Sequence, residues 1–327
     1  MLHKAIILTE PGGPENLKWK EVPIPTPGSG EVMIHHKALG LNFIDIYHRS
    51  GFYPLPEYPA VLGMEGVGIV EKAGPESLMF KAGDRVAYGV GPMGAYAQFR
   101  SIPETALVKL PDAISSEIAA ASMLKGLTAH FLVRRTFMVN QNHTVLIHAA
   151  AGGVGLLLCQ WAKYLGARVI GTVGSEEKAE LAASNGCDFP ILYKKENVVE
   201  RVKAITGGEG VNAVYDSVGK DTFEISLGCL MKFGIFVSYG QASGPVPPID
   251  PLELQRRGSL FFTRPSLMHY KENYQERMNS LAELFDLIIK GVLRVTVGQS
   301  YYLSDAASAH RDLEAGRTKG STILVTA

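Results

Sequence analysis

The chain has 327 residues, 32 basic and 32 acidic side chains, 46% hydrophobic residues and three cysteines. This charge balance argues against a polyanion as the main partner, because nucleic-acid binders carry a basic excess that neutralises phosphates. Cys159, Cys187 and Cys229 are odd in number and lie in apolar or turn-like surroundings, which excludes a disulfide scaffold. The apolar run after Met1 is too short for a signal peptide, and the stretch from Thr144 to Ala162 is broken by His148, a glycine group and Gln160. No membrane span is expected, and the cytoplasm is the expected location.

Length predicts about two domains. Residues 1 to about 125 hold short β-like runs at Lys4 to Leu8, Leu17 to Val22, Glu31 to Leu39, Gly66 to Ala73, Arg85 to Tyr88 and Ala95 to Arg100. Gly and Pro clusters at 11–14, 23–30, 74–75 and 81–84 separate them, so this part reads as an irregular β domain. From about residue 130 the rhythm becomes strand, amphipathic helix, strand. Strands are predicted at His143 to His148, Arg168 to Val173, Phe189 to Tyr193, Val211 to Tyr215, Ile235 to Tyr239 and Ser259 to Thr263. Helices are predicted at Val154 to Leu165, Glu176 to Ser184, Val198 to Ile205 and Thr222 to Met231, several ended by glycine. Six strands with helical crossovers predict an α/β domain with a doubly wound parallel sheet. The tail carries a helix around Asn273 to Lys290, with Leu281, Leu284, Phe285, Ile288 and Ile289 on one face, and ends in a strand at Ser321 to Val325. It is expected to return to the first domain.

Directly after the first strand of the parallel sheet comes Ala149-Ala150-Ala151-Gly152-Gly153-Val154-Gly155, opening into a helix. Ala150, Gly152 and Gly155 suit the three roles of a dinucleotide fingerprint: a tight turn, close backbone approach to a pyrophosphate, and helix-on-strand packing. About 20 residues further on, an acidic residue would hold the ribose hydroxyls of NAD. Gly174 and Ser175 stand there instead, with Lys178 one turn on and Tyr193 at the end of the third strand. This favours NADPH, with Lys178 on the 2′-phosphate and Tyr193 flanking the adenine; the alternative is a solvated helix lysine paired with a nearby glutamate.

Gly-Leu-Asn-Phe-Ile-Asp at 40–45, Gly-Met-Glu-Gly-Val-Gly at 63–68 and the glycine turn resemble the medium-chain dehydrogenase/reductase superfamily. Ala149 to Gly155, Tyr215 to Gly219 and Thr263 to Ser266 resemble its zinc-free quinone oxidoreductase branch, the zeta-crystallin type. The resemblance implies a GroES-like, β-rich catalytic domain from residues 1–127 and 265–327, and a Rossmann domain from 128–264. It also implies a homodimer through the Rossmann domain, NADPH between the domains, and two-electron reduction of a small-molecule quinone. By the same resemblance Asn42, Asp45 and Tyr47 lie around the nicotinamide and Thr128 reaches the cofactor. Gly153, Val154, Gly174, Ser175, Lys178, Tyr193 and Ser217 line the adenosine phosphate and pyrophosphate, and Tyr239, Gly240, Ser243, Phe262, Thr263 and Arg264 complete the nicotinamide end. One departure is Leu313-Glu314-Ala315-Gly316-Arg317, where the arginine follows one residue later than in the family pattern.

No metal is expected. Asn42 and Met64 stand where zinc-dependent relatives place ligands, three scattered cysteines cannot form a four-thiolate site, and His35 and His36 point to opposite faces of a strand. Without a Lewis acid, alcohol oxidation is disfavoured and an electron-poor acceptor preferred. Tyr47 and Tyr53, with Phe52 and Pro54, are expected to form a flat apolar wall for an aromatic acceptor, and Asn42 to donate to its carbonyl. Two other functions fit the same residues. One is reduction of activated C=C bonds in alkenals or enoyl thioesters, and the other is a non-catalytic NADPH-binding protein with RNA-associated roles.

Overall fold

The computed structural model describes residues 1–326. The chain divides into two compact units, one of residues 1–127 with 273–289 and the segment from Val295 onward, the other of residues 128–272 with 290–294. Residues 265–272, expected with the first unit, therefore belong to the second.

In the first unit, β1 (Leu2–Leu8), β2 (Leu17–Pro23), β3 (Glu31–Leu41), α1 (Phe43–Arg49), β4 (Ala60–Val61), β5 (Glu65–Ala73), β6 (Arg85–Tyr88), β7 (Phe99–Pro103) and β8 (Val108–Lys109) follow one another, then α2 (Ser116–Ala120) and α3 (Met123–Phe131). The expected strand at Ala95 to Arg100 begins four residues later. Ala97 bridges only Ala5 of β1, whereas Phe99 pairs with His35 of β3. The chain changes sheets between them, so no single ladder covers the run. The buried alternate residues Val32, Ile34, Leu39, Val70, Val86 and Ile102 supply the core, as expected of sheets with one face turned inward.

The second unit carries β9 (Thr144–Ile147), α4 (Gly153–Tyr164), β10 (Arg168–Val173), α5 (Glu176–Ala183), β11 (Phe189–Leu192), α6 (Val198–Thr206), β12 (Val211–Asp216), α7 (Phe223–Cys229), β13 (Leu230–Ser238), α8 (Pro251–Arg256), β14 (Phe261–Thr263) and α9 (Leu267–Lys271). The strand order is β11-β10-β9-β12-β13-β14, every pair parallel. This is the doubly wound order with its switch point beside β9, where such sheets bind ligands. Two boundaries differ from expectation by more than one residue. Leu230 and Met231 belong to β13, whose register against β12 slips between Val211 and Ala213. Ser259 has φ +55, outside the strand region, so β14 starts two residues late.

The tail adds α10 (Tyr274–Ile289), β15 (Val297–Tyr302), α11 (Ala306–Glu314) and β16 (Ser321–Val325). β16 pairs antiparallel with β3, so the last strand completes the first unit's large sheet. Along α10 the buried stripe is Ser280, Leu281, Leu284, Phe285 and Leu287, while Ile289 is exposed. The stripe is rotated toward the 280–284–287 row from the one the sequence suggested.

Candidate active site

The glycine turn is held from both sides. Ala150 N–H donates to Thr172 O of β10 at 3.1 Å and Gly152 N–H to Ala149 O at 2.9 Å, with Ala149 at φ +52. A Cβ on Gly155 would overlap Ala149 O and lie 2.8 Å from Ala150 O. Only glycine lets α4 start this close to the turn. Gly152 is the N-cap and contributes no side-chain cap, so the first-turn N–H groups and the positive end of the helix dipole form a seat suited to a phosphate.

At the end of β10, Ser175 Oγ accepts from Lys178 N–H at 3.3 Å and caps α5. A Cβ on Gly174 would lie 3.0 Å from the Tyr193 hydroxyl, so the small residue leaves room for that exposed ring. Burial and the neighbouring Lys194 ammonium hold Lys178 below the usual lysine range, against the opposing pull of Glu177. Two cations and a phenol ring thus gather where the dinucleotide fingerprint usually has an acid. Glu176 is paired with Lys195 at 2.8 Å.

Below these turns runs a buried polar chain that the sequence did not reveal. Asp216 accepts from Val218 N–H at 2.7 Å and Gly219 N–H at 3.0 Å through one oxygen, and from the Thr222 and Ser226 hydroxyls, each at 2.7 Å, through the other. Ser226 spends its one proton on Asp216, so at 3.1 Å it accepts from His148 Nε2–H. His148 Nδ1 then accepts from Thr172 Oγ1 at 2.9 Å. The chain ties the strand end before the glycine turn to the 216–222 turn that carries Ser217. Ala242 N–H donates to Ser217 O at 3.0 Å, the Ser243 hydroxyl to Val218 O at 2.8 Å, and a Cβ on Gly240 would lie 2.7 Å from Ser217 O. Ser217, Tyr239, Gly240 and Ser243 therefore belong to one packed loop pair. Phe262 and Thr263 lie on the neighbouring edge strand, paired with Phe236 and Val237; Arg264 is exposed just beyond it, and Thr128 is buried in α3.

In the first unit, Asn42 caps α1 at the end of β3. Its backbone N–H donates to Asp45 Oδ2 at 2.9 Å, and its side-chain Nδ2 donates to Glu65 Oε2 at 2.8 Å. Glu65 also accepts from Leu124 N–H at 2.8 Å and from the Lys125 ammonium at 3.2 Å. A Cβ on Gly40, opposite Glu65 in the ladder, would overlap this carboxylate. One Asn42 amide N–H is thus committed to Glu65. Asp45 is fully buried and bonded within this unit; burial raises its carboxyl to about 7 despite hydrogen bonds from Asn42 and Tyr96 and the charge of Lys125. It holds α1 in place through the Asn42 backbone N–H and the Tyr96 hydroxyl. On the other side of α1, Tyr47 meets Tyr53 edge-on at 5.2 Å and Phe52 at 5.6 Å, and Phe43 lies 6.0 Å away. Phe43, Tyr47, Phe52 and Tyr53, close in sequence, form an aromatic cluster whose rings meet tilted or edge-on.

Among the described residues no three His, Cys, Asp or Glu side chains gather in a way that could hold a metal. His36 is fully buried between Ala97 O and the Tyr88 hydroxyl, and His35 stacks on Phe99 at 4.4 Å. Arg317 is bonded to Asp312 at 2.9 Å.

Residues 28–112 match the alcohol dehydrogenase GroES-like domain and residues 153–301 the zinc-binding dehydrogenase family. The chain is 50% identical over 314 residues to a quinone oxidoreductase of Pseudomonas aeruginosa, covering 96% of this chain and 97% of that protein. It belongs to the quinone oxidoreductase family of the medium-chain dehydrogenase/reductases. Quinone oxidoreductase 1 of Escherichia coli is 48% identical over 316 residues, covering 96% of this chain and 97% of that protein. A 2-haloacrylate reductase of a Burkholderia species is 44% identical over 327 residues, with 98% of each covered. The crystal structure of the Escherichia coli quinone oxidoreductase complexed with NADPH superposes with a TM-score of 0.96 at 47% identity, covering 98% of this chain and 99% of that one. A zinc ion, which the second domain family's name suggests, does not fit the residues of this family member. Asn42 is an amide already bonded to Glu65, Met64 is a buried thioether, and the cation beside Glu65 is the Lys125 ammonium.

Proposed function

We propose that this protein is an NADPH-dependent quinone reductase that works without a metal. The observation that carries the reading is the end of β10, where Gly174 and Ser175 replace an acid and Lys178 and Lys194 supply positive charge. That constellation favours a 2′-phosphate over a bare ribose. When bound, NADPH supplies a hydride to the acceptor. The glycine turn with Gly152, Gly153, Val154 and Gly155 would hold the pyrophosphate, Lys178 the 2′-phosphate and Tyr193 the adenine face. Ser217, Tyr239, Gly240, Ser243, Phe262, Thr263, Arg264 and Thr128 are proposed for the nicotinamide half. The dinucleotide is assigned to the second unit, and in the first unit Tyr47 and Tyr53 are proposed to meet a flat acceptor, with Asn42 donating to its carbonyl. A reduced quinone is a phenol with a pKa of about 10 by analogy with tyrosine. It takes its proton from water, so no buried acid is required.

A second reading is reduction of activated C=C bonds, favoured by the 44% identity to a 2-haloacrylate reductase. NADPH oxidation followed at 340 nm on chelator-treated protein separates the two, with ortho- and para-quinones, a 2-enal and 2-haloacrylate as acceptors and NADH as the comparison cofactor. Fast turnover of quinones with NADPH preferred is the expected result. Turnover of the enal or haloacrylate alone would move the assignment to the second reading.

We infer also that the protein works as a homodimer in the cytoplasm. The edge of the parallel sheet supports the first part: β14 pairs on one side only, and Phe261 beside the open edge is 60% exposed, the kind of edge that a second copy covers. Three buried free cysteines suit a reducing compartment. No described helix is long and apolar enough to cross a membrane. Sedimentation equilibrium should return twice the chain mass, and Phe261→Lys should shift it toward the single chain.

A further inference from the structure

Helix α1 carries the proposed acceptor wall on one face and three buried residues, Asp45, Ile46 and Arg49, on the other. The buried side is fastened to the distant helix α11. Arg49 donates from Nη1 and Nη2 to both Glu314 oxygens, at 2.8 and 2.6 Å, and from Nε to Gly12 O at 3.0 Å. Arg49 Nη1 also faces His310 Nδ1 at 3.4 Å, His310 Nε2 lies 3.0 Å from the Tyr96 hydroxyl, and that hydroxyl lies 3.1 Å from Asp45 Oδ2.

The proton positions in this row follow from chemistry. A guanidinium only donates, so His310 Nδ1 must accept and carries no proton. A neutral imidazole then has its proton on Nε2, which donates to the Tyr96 oxygen. The Tyr96 proton is left with one acceptor, Asp45 Oδ2, the atom that also receives the Asn42 backbone N–H. The row runs in one direction, Arg49 to His310 to Tyr96 to Asp45, and ends on the cap of α1. His310 is fully buried, and burial with the Arg49 charge lowers it to about 3, which keeps the imidazole neutral as the row requires.

We infer that Tyr96, His310 and Arg49 are positioning residues for acceptor reduction: through Asp45 they fix the first turn of α1, and with it the Asn42 amide and the Tyr47 ring. The inference rests on the proposed quinone reductase reading for its kinetic part only. None of the three touches substrate in this account. Their effect is on where Asn42 and Tyr47 stand, and a displacement of about 1 Å in such groups costs up to about a hundredfold in rate.

Three variants and one spectroscopic measurement test it. His310→Leu and Tyr96→Phe each break the row, whereas His310→Gln keeps an N–H donor toward Tyr96. Both breaking variants should lower kcat/KM for a quinone by about tenfold or more with NADPH affinity by fluorescence titration unchanged, and His310→Gln should recover most of the loss. Equal losses in His310→Leu and His310→Gln, or a parallel loss of NADPH affinity, would overturn the inference. Nitrogen-15 NMR of the unliganded protein should find His310 as the Nε2–H tautomer from pH 5 to 8, with slow exchange of the Asp45 amide that Tyr96→Phe speeds. An Nδ1–H tautomer, or exchange unaffected by Tyr96→Phe, would also overturn it, and these readouts hold whatever the acceptor is.

Discussion

The two proposed binding regions, one in each unit, are built on opposite principles. The dinucleotide seat in the second unit is made of backbone: a turn, a helix start without a side-chain cap, and glycines where a Cβ would collide. The support of α1 in the first unit is made of side chains held by other side chains, Asn42 by Glu65 and Glu65 in turn by Lys125, Asp45 by Tyr96 and Tyr96 in turn by His310. A backbone seat depends on the local chain and fails by steric overlap. A support made of side chains depends on groups far away in sequence and fails by loss of a charge or a hydrogen bond.

The largest effect is expected where the support's charges are buried. Lys125 and Glu65 are 6% and 0% exposed, and Lys125→Met leaves the carboxylate without its cation, at a cost of about 3 kcal/mol or more in denaturant unfolding. Adding Glu65→Gln should recover part of that loss, because the remaining donors then face a neutral acceptor; an undiminished loss would mean that Lys125 acts through packing. Gly155→Ala probes the backbone seat. The overlap with Ala149 O and Ala150 O should cost about 1 to 3 kcal/mol and weaken NADPH and NADH binding alike in calorimetric titration.

Lys178→Ala is expected to raise the NADPH KM about tenfold, equivalent to roughly 1.4 kcal/mol, and to leave the NADH KM nearly unchanged. Equal changes for both cofactors would remove Lys178 from the 2′-phosphate. The remaining effect is one of pH. Because the folded-state pKa of Asp45 is raised to about 7, this group stabilises the fold fully below the ordinary aspartate range. That contribution is lost as pH rises toward 7, by at most about 1.4 kcal/mol per pH unit. His36 and His310, each lowered to about 3, work in the opposite sense, since stability from them rises between pH 3 and 6.5. Relative to the native chain, Asp45→Asn should therefore gain stability between pH 5 and 8 in parallel unfolding curves. A difference that stays constant with pH would place the Asp45 titration elsewhere.

The same contrast explains what could be read in advance. The alternation of strand and helix from residue 144 to 216, the glycine turn and the small residues ending β10 are local patterns, and sequence spacing carries them. The return of the tail was legible because Ser321–Val325 reads as a strand with no new domain around it. Lys194, His148, Asp216 and the Arg49–His310–Tyr96 row were not legible. Arg49 and Glu314 are 265 residues apart and Tyr96 and His310 are 214 apart, and no periodicity links them. Asp45 was legible as part of a motif, yet its motif neighbours do not show that its carboxylate turns inward to cap α1. The strand at Ala95 to Arg100 was misplaced for a related reason, since only the pairing partners Ala5 and His35 show that the chain changes sheets there.

A double-mutant cycle in kcat/KM for NADPH-dependent quinone reduction, combining Lys178→Ala with Tyr47→Ala, tests the division between seat and wall most directly. If the cofactor seat and the acceptor wall are independent constructions, the two losses add within about 0.5 kcal/mol, the first appearing in the NADPH KM and the second in the quinone terms. A coupling above about 1 kcal/mol, or a Tyr47→Ala effect confined to NADPH affinity, would contradict the account.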